Sequence, residues 1–488
     1  MPERTQRSRW LALFTVCLGY LMIVLDVTIV GVALPSIRED LGFSESSLAW
    51  VVNAYLLTFG GFLLLSGRLG DLFGHKRLFL IGIAVFALAS LGCGLATSQA
   101  GLVGARAVQG LSGAIVSAVA LSLIVTMFTE PADRAKAMGV FGFIAAGGGT
   151  IGVFVGGILT EALNWHWIFL VNVPIGVAVI VFATLALPQT HLGPASRRVD
   201  VAGAFTVTAS LMLAVYAIVN GNEAGWTSAR TLGLLAVAGV LLVWFLAIEA
   251  KTPAPLVPLG LFRHRNLTTA NVVGVLWAAA MFAWFFLSAL YLQLVLGYSP
   301  LQVGLAFLPA NLIMAVFSVG LSAKLVMRFG FRTPLASGLL LAAAGLALFA
   351  QAPVDGVFLT DVLPGMILLG VGAGMAFNPV LLAAMGDVKP SEAGLASGVV
   401  NTSFMMGGAL GLAILASLAA SRTNTQLAAG GDQLASLTSG YNAAFVAAAV
   451  FAAAAAALSA ALLRRNTAPA AAVSNEAQED LQPAAEPG

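Results

Sequence analysis

The chain has 488 residues, 59% of them hydrophobic and 9% charged, with a formal net charge of +2. A soluble domain carries about 25% charged residues, so there are too few here to solvate a globule of this size, and a near-neutral balance gives no electrostatic footprint for nucleic acid. The apolar residues fall in long runs, many reaching the roughly 20 residues that a membrane-crossing helix needs. This excludes a soluble protein and predicts an all-α integral membrane protein.

In chain order, Arg4, Arg7 and Arg9 precede an apolar stretch from Trp10 to Leu34. It is longer than the apolar core of a signal peptide and reads as a retained first span. Further spans are predicted at 48–69, 78–98, 102–127, 136–160, 167–187, 200–220, 231–249, 268–296, 302–323, 334–351, 358–384, 396–418 and 443–463, fourteen in all. The longest connections are expected at 188–199, 250–267 and 419–441. Beyond Arg465 the tail is rich in Ala, Pro, Glu and Gln without an apolar period, the composition of a disordered segment. Nineteen Lys and Arg residues fall on one set of loops, against Arg38, Arg230 and Arg422 on the other. By the positive-inside rule this places both termini in the cytoplasm, and an even span count requires them to share a side.

Residues 66–76 read SGRLGDLFGHK and 322–332 read SAKLVMRFGFR. Ser, Leu, Phe and Gly match in place, as do basic residues at Arg68/Lys324 and Lys76/Arg332. Each segment follows the second span of a six-span group once spans 7 and 8 are set aside. The chain therefore divides into a six-helix bundle (1–187), a two-helix insert (188–250), a second six-helix bundle (251–465) and a tail (466–488). Repeats of this kind build a site at their interface near the bilayer midplane.

A charge at the centre of a span costs at least about 2.5–3.5 kcal/mol on insertion scales, and two residues bear that cost: Asp26 in span 1 and Arg106 in span 4. Asp26 is either a carboxyl that takes up and releases a proton during an alternating-access cycle or a structural acid permanently paired with a cation. Arg106 either tunes Asp26 or anchors neighbouring helices. Glu161 and Glu249 lie near span ends and are expected to reach the interface. Cys17 and Cys93 sit within apolar runs and suggest neither a disulfide nor a metal site. In span 5, Gly148, Gly152 and Gly156 recur every four residues, with Gly157 adjacent. That stripe admits close helix approach, either as a static seam or as the hinge of a rocking motion. The polar and aromatic residues Asn53, Tyr55, Gln109, Trp284, Tyr291, Gln293, Asn311, Asn378 and Asn401, with Phe285 and Phe286, are candidates for a cavity lining or for plain helix packing. There is no phosphate-binding G-x-x-x-x-G-K-[ST], no H-E-x-x-H and no G-x-S-x-G. An ATPase, an enzyme site, a metal and a cofactor are accordingly not expected.

Five segments resemble the major facilitator superfamily, and within it the fourteen-span drug:proton antiporters of the EmrB/QacA type. LDVTIVGVALPSI at 25–37 is similar to that family's span 1 signature, with Gly31 in place of Asn. GRLGDLFGHKR at 67–77 is similar to the loop 2–3 motif, ARAVQG at 105–110 to the span 4 motif, and IGVFVGG at 151–157 to the antiporter motif of span 5, with Val153 where proline is usual. WHWIFLVNVPIG at 165–176 resembles a further family segment, with His166 in place of Arg. The resemblance implies a conformational switch at Gly67, Asp71, Gly74 and Arg77, proton coupling through Asp26 and Arg106, and an antiporter-motif hinge at Gly148, Gly152, Gly156 and Gly157. Span 10 lacks the acidic residue of some multidrug members, so divalent cations are not expected among the substrates.

Together these features predict a secondary transporter in the plasma membrane, working as a monomer in the lipid bilayer and exporting a hydrophobic small molecule in exchange for protons. The alternatives are a dedicated exporter of an endogenous metabolite, an uptake symporter, or a membrane sensor that moves nothing.

Overall fold

A computed structural model of the protein describes residues 6–464 apart from 129, 188–199, 253–254, 387 and 389–391. Among the described residues, fourteen helices cross the molecule. They are α1 (Gln6–Ile29), α2 (Trp50–Phe73), α3 (His75–Gly94), α4 (Gln99–Met127), α5 (Pro131–Ala162), α6 (Asn172–Ala186), α7 (Val201–Ala224), α8 (Ala229–Lys251), α9 (Arg265–Leu290), α10 (Pro300–Val316), α11 (Arg332–Phe349), α12 (Leu363–Met385), α13 (Ala393–Ala428) and α14 (Gln433–Leu462). Thirteen of the helical runs are long and apolar enough to span a membrane. The exception is α10, with 17 residues, which continues through a π turn at Phe317–Leu321 into the short helix Ser322–Phe329. The widened turn leaves the Ser318 carbonyl to accept Asn378 Nδ2 at 2.7 Å, a partner from α12 for a group the helix no longer satisfies.

The helix ends follow local chemistry. Ser98, Asp200, Ser228, Ser299 and Asp432 cap α4, α7, α8, α10 and α14 with side-chain oxygens. Gly74 separates α2 from α3 at φ +89°, in the region that disfavours any residue with a Cβ. The connection expected at 419–441 is far shorter. Helix α13 runs on to Ala428 and α14 starts at Gln433, because the polar run after Ala420 prolongs the helix beyond its apolar stretch. Span 1 is longer than expected: after a 3₁₀ turn at Val30–Ala33 the chain resumes as a helix over Leu34–Leu41, with Pro35 in its first turn.

Helix α5 packs along α1 and α10, and α2 packs along α4 and α13. The second helix of each six-helix group therefore lies on the fifth helix of the other, a reciprocity that accords with the repeated segments at 66–76 and 322–332. Helix α7 touches both α2 and α13, so the two-helix insert sits astride one seam between the groups. Only 17% of the apolar window of α8 is buried, which leaves its remaining surface for lipid. We call the side bearing the start of α1 and the end of α14 the terminal side, and the opposite one the far side.

Candidate functional site

Asp26 lies on α1 with no exposed surface, and Arg106 on α4 is 1% exposed. Arg106 Nη1 forms a short ion pair with Asp26 Oδ2, and Arg106 Nε donates to the Val51 carbonyl at 2.9 Å. Asp26 Oδ1 accepts from Gln109 Nε2 at 2.9 Å and from Asn172 Nδ2 at 3.0 Å. Gln109 also donates to Ser90 Oγ at 2.6 Å, and its Oε1 accepts from Arg106 at 2.9 Å. The Tyr55 ring lies under the guanidinium at 4.4 Å, a cation–π contact that helps hold a desolvated arginine. Helices α1, α3, α4 and α6 thus meet at one carboxylate whose two oxygens are both satisfied. Of these partners, sequence singled out Arg106, Gln109 and Tyr55, but the last two as cavity candidates; Ser90 and Asn172 were not anticipated.

A cavity of about 730 Å³ lies between the two groups of helices. Phe141, Phe282, Phe285, Phe286, Phe307 and Phe377 form much of its wall, with Met138, Met281 and Met314. Thr28, Asn311, Ser318, Asn378 and Asn401 supply hydrogen-bonding groups, and among the described residues no charged side chain lines it. Of the cavity candidates, Asn311, Asn378, Asn401, Phe285 and Phe286 lie in this lining, and six others lie elsewhere. Tyr55 and Gln109 belong to the Asp26 network. Asn53 is fully buried outside the lining. Trp284, 2% exposed, packs among Phe285, Phe307 and Phe349. Tyr291 donates to the Pro353 carbonyl at 2.6 Å. Gln293 donates to the Val32 carbonyl at 3.0 Å, tying α1's continuation to the start of the second group. Asp26 itself is absent from the lining, although its neighbours Val27 and Thr28 are part of it. The carboxyl faces away from the cavity, behind the wall that α1 makes.

The glycines of α5 explain the closure on the far side. A methyl on Gly148 would lie 2.9 Å from a Val24 methyl, one on Gly152 3.0 Å from the Leu25 carbonyl, and one on Gly156 2.8 Å from the Ile29 carbonyl, all on α1. Gly157 faces α10 instead, where a methyl would meet the Pro300 carbonyl at 2.7 Å. Val153 is 4% exposed, and its carbonyl lies where a side chain on Gly304 would reach it, at 3.0 Å. Glu161, at the end of α5, accepts from Ser299 Oγ at 2.5 Å and from Leu301 N at 3.0 Å. It thereby joins the first group to the start of α10 on the far side, a role that its place at a span end did not announce. Glu249, also expected at the interface, is instead 3% exposed.

In the loop between α2 and α3, Gly74 carries the positive φ noted above. Lys76 Nζ donates to the carbonyls of Thr184 and Leu187 at 2.9 and 2.7 Å, fastening the end of α6. Arg77 is exposed and Gly67 has open space around it. The side chain of Asp71 lies outside the described residues, so the expected Asp71–Arg77 switch remains a matter for proposal. Among the described residues no group of three or more His, Cys, Asp and Glu is placed to hold a metal.

A family-wide sequence profile described as Major Facilitator Superfamily matches residues 16–412. The chain is 40% identical to the puromycin resistance protein pur8 of Streptomyces alboniger over 434 residues, covering 88% of this chain and 86% of that one. It is 39% identical to the cephamycin export protein CmcT of Amycolatopsis lactamdurans over 438 residues, covering 89% and 88%. Among solved structures, a bacterial homologue of the human lysosomal transporter Spinster, crystallised in an inward-facing and unoccupied conformation, superposes with a TM-score of 0.65 over 93% of this chain and 97% of that one, at 16% identity.

Proposed function

The chain belongs to the major facilitator superfamily, and from that premise we propose that it exports hydrophobic, antibiotic-like small molecules across the plasma membrane in exchange for protons. The carrying observation is the cavity: large enough for a drug-sized ligand, walled by aromatic rings and methionines, dotted with amides and hydroxyls, and without a charged side chain among the described residues of its lining. Such a wall takes apolar and aromatic molecules of varied shape, because methionine adapts and flat rings stack. The names of the relatives, puromycin resistance and cephamycin export, concern antibiotics. The second name also favours a narrower reading, export of a single compound made by the cell.

With the terminal side placed in the cytoplasm by the distribution of Lys and Arg, the cavity is closed outward by the α1–α5–α10 seam and by the Glu161 contacts with Ser299 and Leu301. Export requires that seam to part while the terminal side closes, about a rocking axis between the two groups. Glycines at 148, 152 and 156 suit this movement, since backbones in contact with few interlocking side chains can slide. The loop motif at Gly67, Asp71, Gly74 and Arg77 acts as the latch of the opposite state. Proton coupling is assigned to Asp26 with Arg106. While the pair is intact the carboxylate is fully partnered and shut off from the cavity. Protonation therefore has to accompany withdrawal of Arg106, and that links the proton to the conformation. One proton moving down about 100 mV and about one pH unit releases roughly 2.3 plus 1.4 kcal/mol, enough to hold a gradient of several hundredfold at about 1.4 kcal/mol per tenfold.

The test is transport in inside-out vesicles energised by an imposed pH gradient, with a panel of apolar dyes and antibiotics. Accumulation that collapses with the gradient supports the proposal. Accumulation indifferent to the gradient removes proton exchange, and no accumulation of any panel member removes broad export in favour of a single compound.

A further inference from the structure

The insert carries a second buried acid site, remote in sequence from Asp26 and at the terminal-side base of the α7–α8 hairpin. Asp200 caps α7 through Oδ1, which accepts from Gly203 N at 2.7 Å, and the residue is 5% exposed. Glu249, third from the end of α8, is 3% exposed, and its Oε2 accepts from Val257 N at 3.0 Å. Val257 belongs to the strap that leads from the hairpin to α9, and with Leu256 it packs into the core of the first helix group.

Each carboxyl keeps one buried oxygen without a hydrogen-bond partner: Oδ2 of Asp200 and Oε1 of Glu249. Both point at the same place. A methyl on Gly203 would lie 2.6 Å from Asp200 Oδ2 and 2.8 Å from Glu249 Oε1. The two orphan oxygens thus converge on the space beside Gly203 that only a glycine leaves open. The charge of Asp200 acts on Glu249. On the elements packed around the site, Lys251 on α8 and Arg68 on α2 are exposed and Glu392 precedes α13, and among the described residues no ion pair joins any of them to either acid.

Two ionised carboxylates turned into one space out of water repel strongly when no cation lies between them. A hard metal ion asks for six or more oxygens, and the site has two to give. A proton needs just these two. We propose that one proton sits on Glu249 Oε1 beside Asp200 Oδ2, which makes the base of the hairpin a proton-binding site separate from Asp26. When the proton leaves to water, the two carboxylates repel, Glu249 withdraws, and Val257 N loses its acceptor. The strap then loosens at the point where the hairpin, lying on both α2 and α13, bridges the two helix groups.

The test uses the full chain in lipid and does not depend on transport. Glu249→Gln keeps an acceptor for Val257 N and gives Asp200 Oδ2 a permanent donor, so it mimics the protonated pair. Asp200→Asn does the same from the other side. Infrared spectra at neutral pH are expected to show a protonated-carboxyl stretch in the parent that is missing from both variants. On raising the pH, that stretch should fade while Val257 amide exchange accelerates by about tenfold relative to Glu249→Gln at the same pH. The proposal is overturned if the stretch is equal in parent and both variants, since the site is then ionised or unrelated to it. It is equally overturned if Val257 protection follows added Na⁺ or Mg²⁺ rather than pH, because the occupant is then a metal cation.

Discussion

Asp26 and the Asp200–Glu249 pair are both carboxyl sites shut away from water, and they solve the same difficulty in opposite ways. Asp26 has a guanidinium on one oxygen and two amide donors on the other, so it is built to hold a charge. Asp200 and Glu249 each accept from the backbone and keep a bare oxygen in the space beside Gly203, so Glu249 is built to hold a proton. An acid can therefore be buried for either purpose, and the partners rather than the burial decide which. The first arrangement binds four helices of one group together. The second ties a strap and a hairpin that lie across the boundary between groups.

The comparison predicts its largest effect at Asp26. Asp26→Asn leaves Arg106 buried without its anion, a loss of about 3–5 kcal/mol, visible as a lower melting temperature and less folded protein. Asp26→Asn combined with Arg106→Gln removes both charges and should recover most of that stability. A single variant as stable as the parent would show that Asp26 does not hold the charge of Arg106. A control that spares both acid sites is Gly156→Leu, whose side chain must enter the Ile29 backbone of α1. Transport should be lost with the protein still inserted, and unchanged transport would mean that α1 and α5 separate more easily than their contact implies. Gly203→Ala comes next. Its methyl would press on both orphan oxygens, at a cost of about 1–3 kcal/mol, measurable as a melting shift that Glu249→Gln does not share.

The smallest effect is expected from an acid that belongs to neither class. Glu45 lies in the far-side loop before α2, and burial pushes its carboxyl up to about 7, an effect that Arg38 offsets in part. Glu45 lines a far-side pocket with Arg38, the end of α13 and the start of α14, and there the neutral form is favoured. Its contribution to closure is complete below the ordinary carboxylate range and is lost as pH rises through about 7. A label pair on Ser44 and Asn424, which line the same far-side pocket, should move apart slightly over that range, and Glu45→Gln should remove the dependence. The same dependence in Glu45→Gln would assign it to another group.

Sequence made Asp26 and Arg106 conspicuous because a charge within an apolar run has few structural excuses. It could not make Ser90 or Asn172 conspicuous, since hydroxyls and amides are common in packed helices. The cavity wall was harder still. Trp284 and Phe285 are adjacent, yet one is core and the other lining, and a helix apolar on every side gives no periodicity from which to choose its face. Glu249 misled for a different reason. Its place near a span end suggested water, but the strap at 256–257 folds back over it, a contact that no local pattern encodes. The count of crossings follows from run length and was legible in the sequence, whereas the pairing of α2 with α13 and of α5 with α10 was not, because the repeated segments mark two equivalent halves and not the contacts between them.

Proton movement by the charge-neutral double variant tests the account most directly. Purified parent and Asp26→Asn/Arg106→Gln proteins, matched for melting temperature and reconstituted in vesicles containing a pH-sensitive dye, are given an apolar substrate that the parent exports. The account predicts substrate-dependent proton flux in the parent and none in the double variant, with substrate binding retained by both. Parental proton flux in a folded double variant would contradict it and move the coupling group elsewhere in the chain.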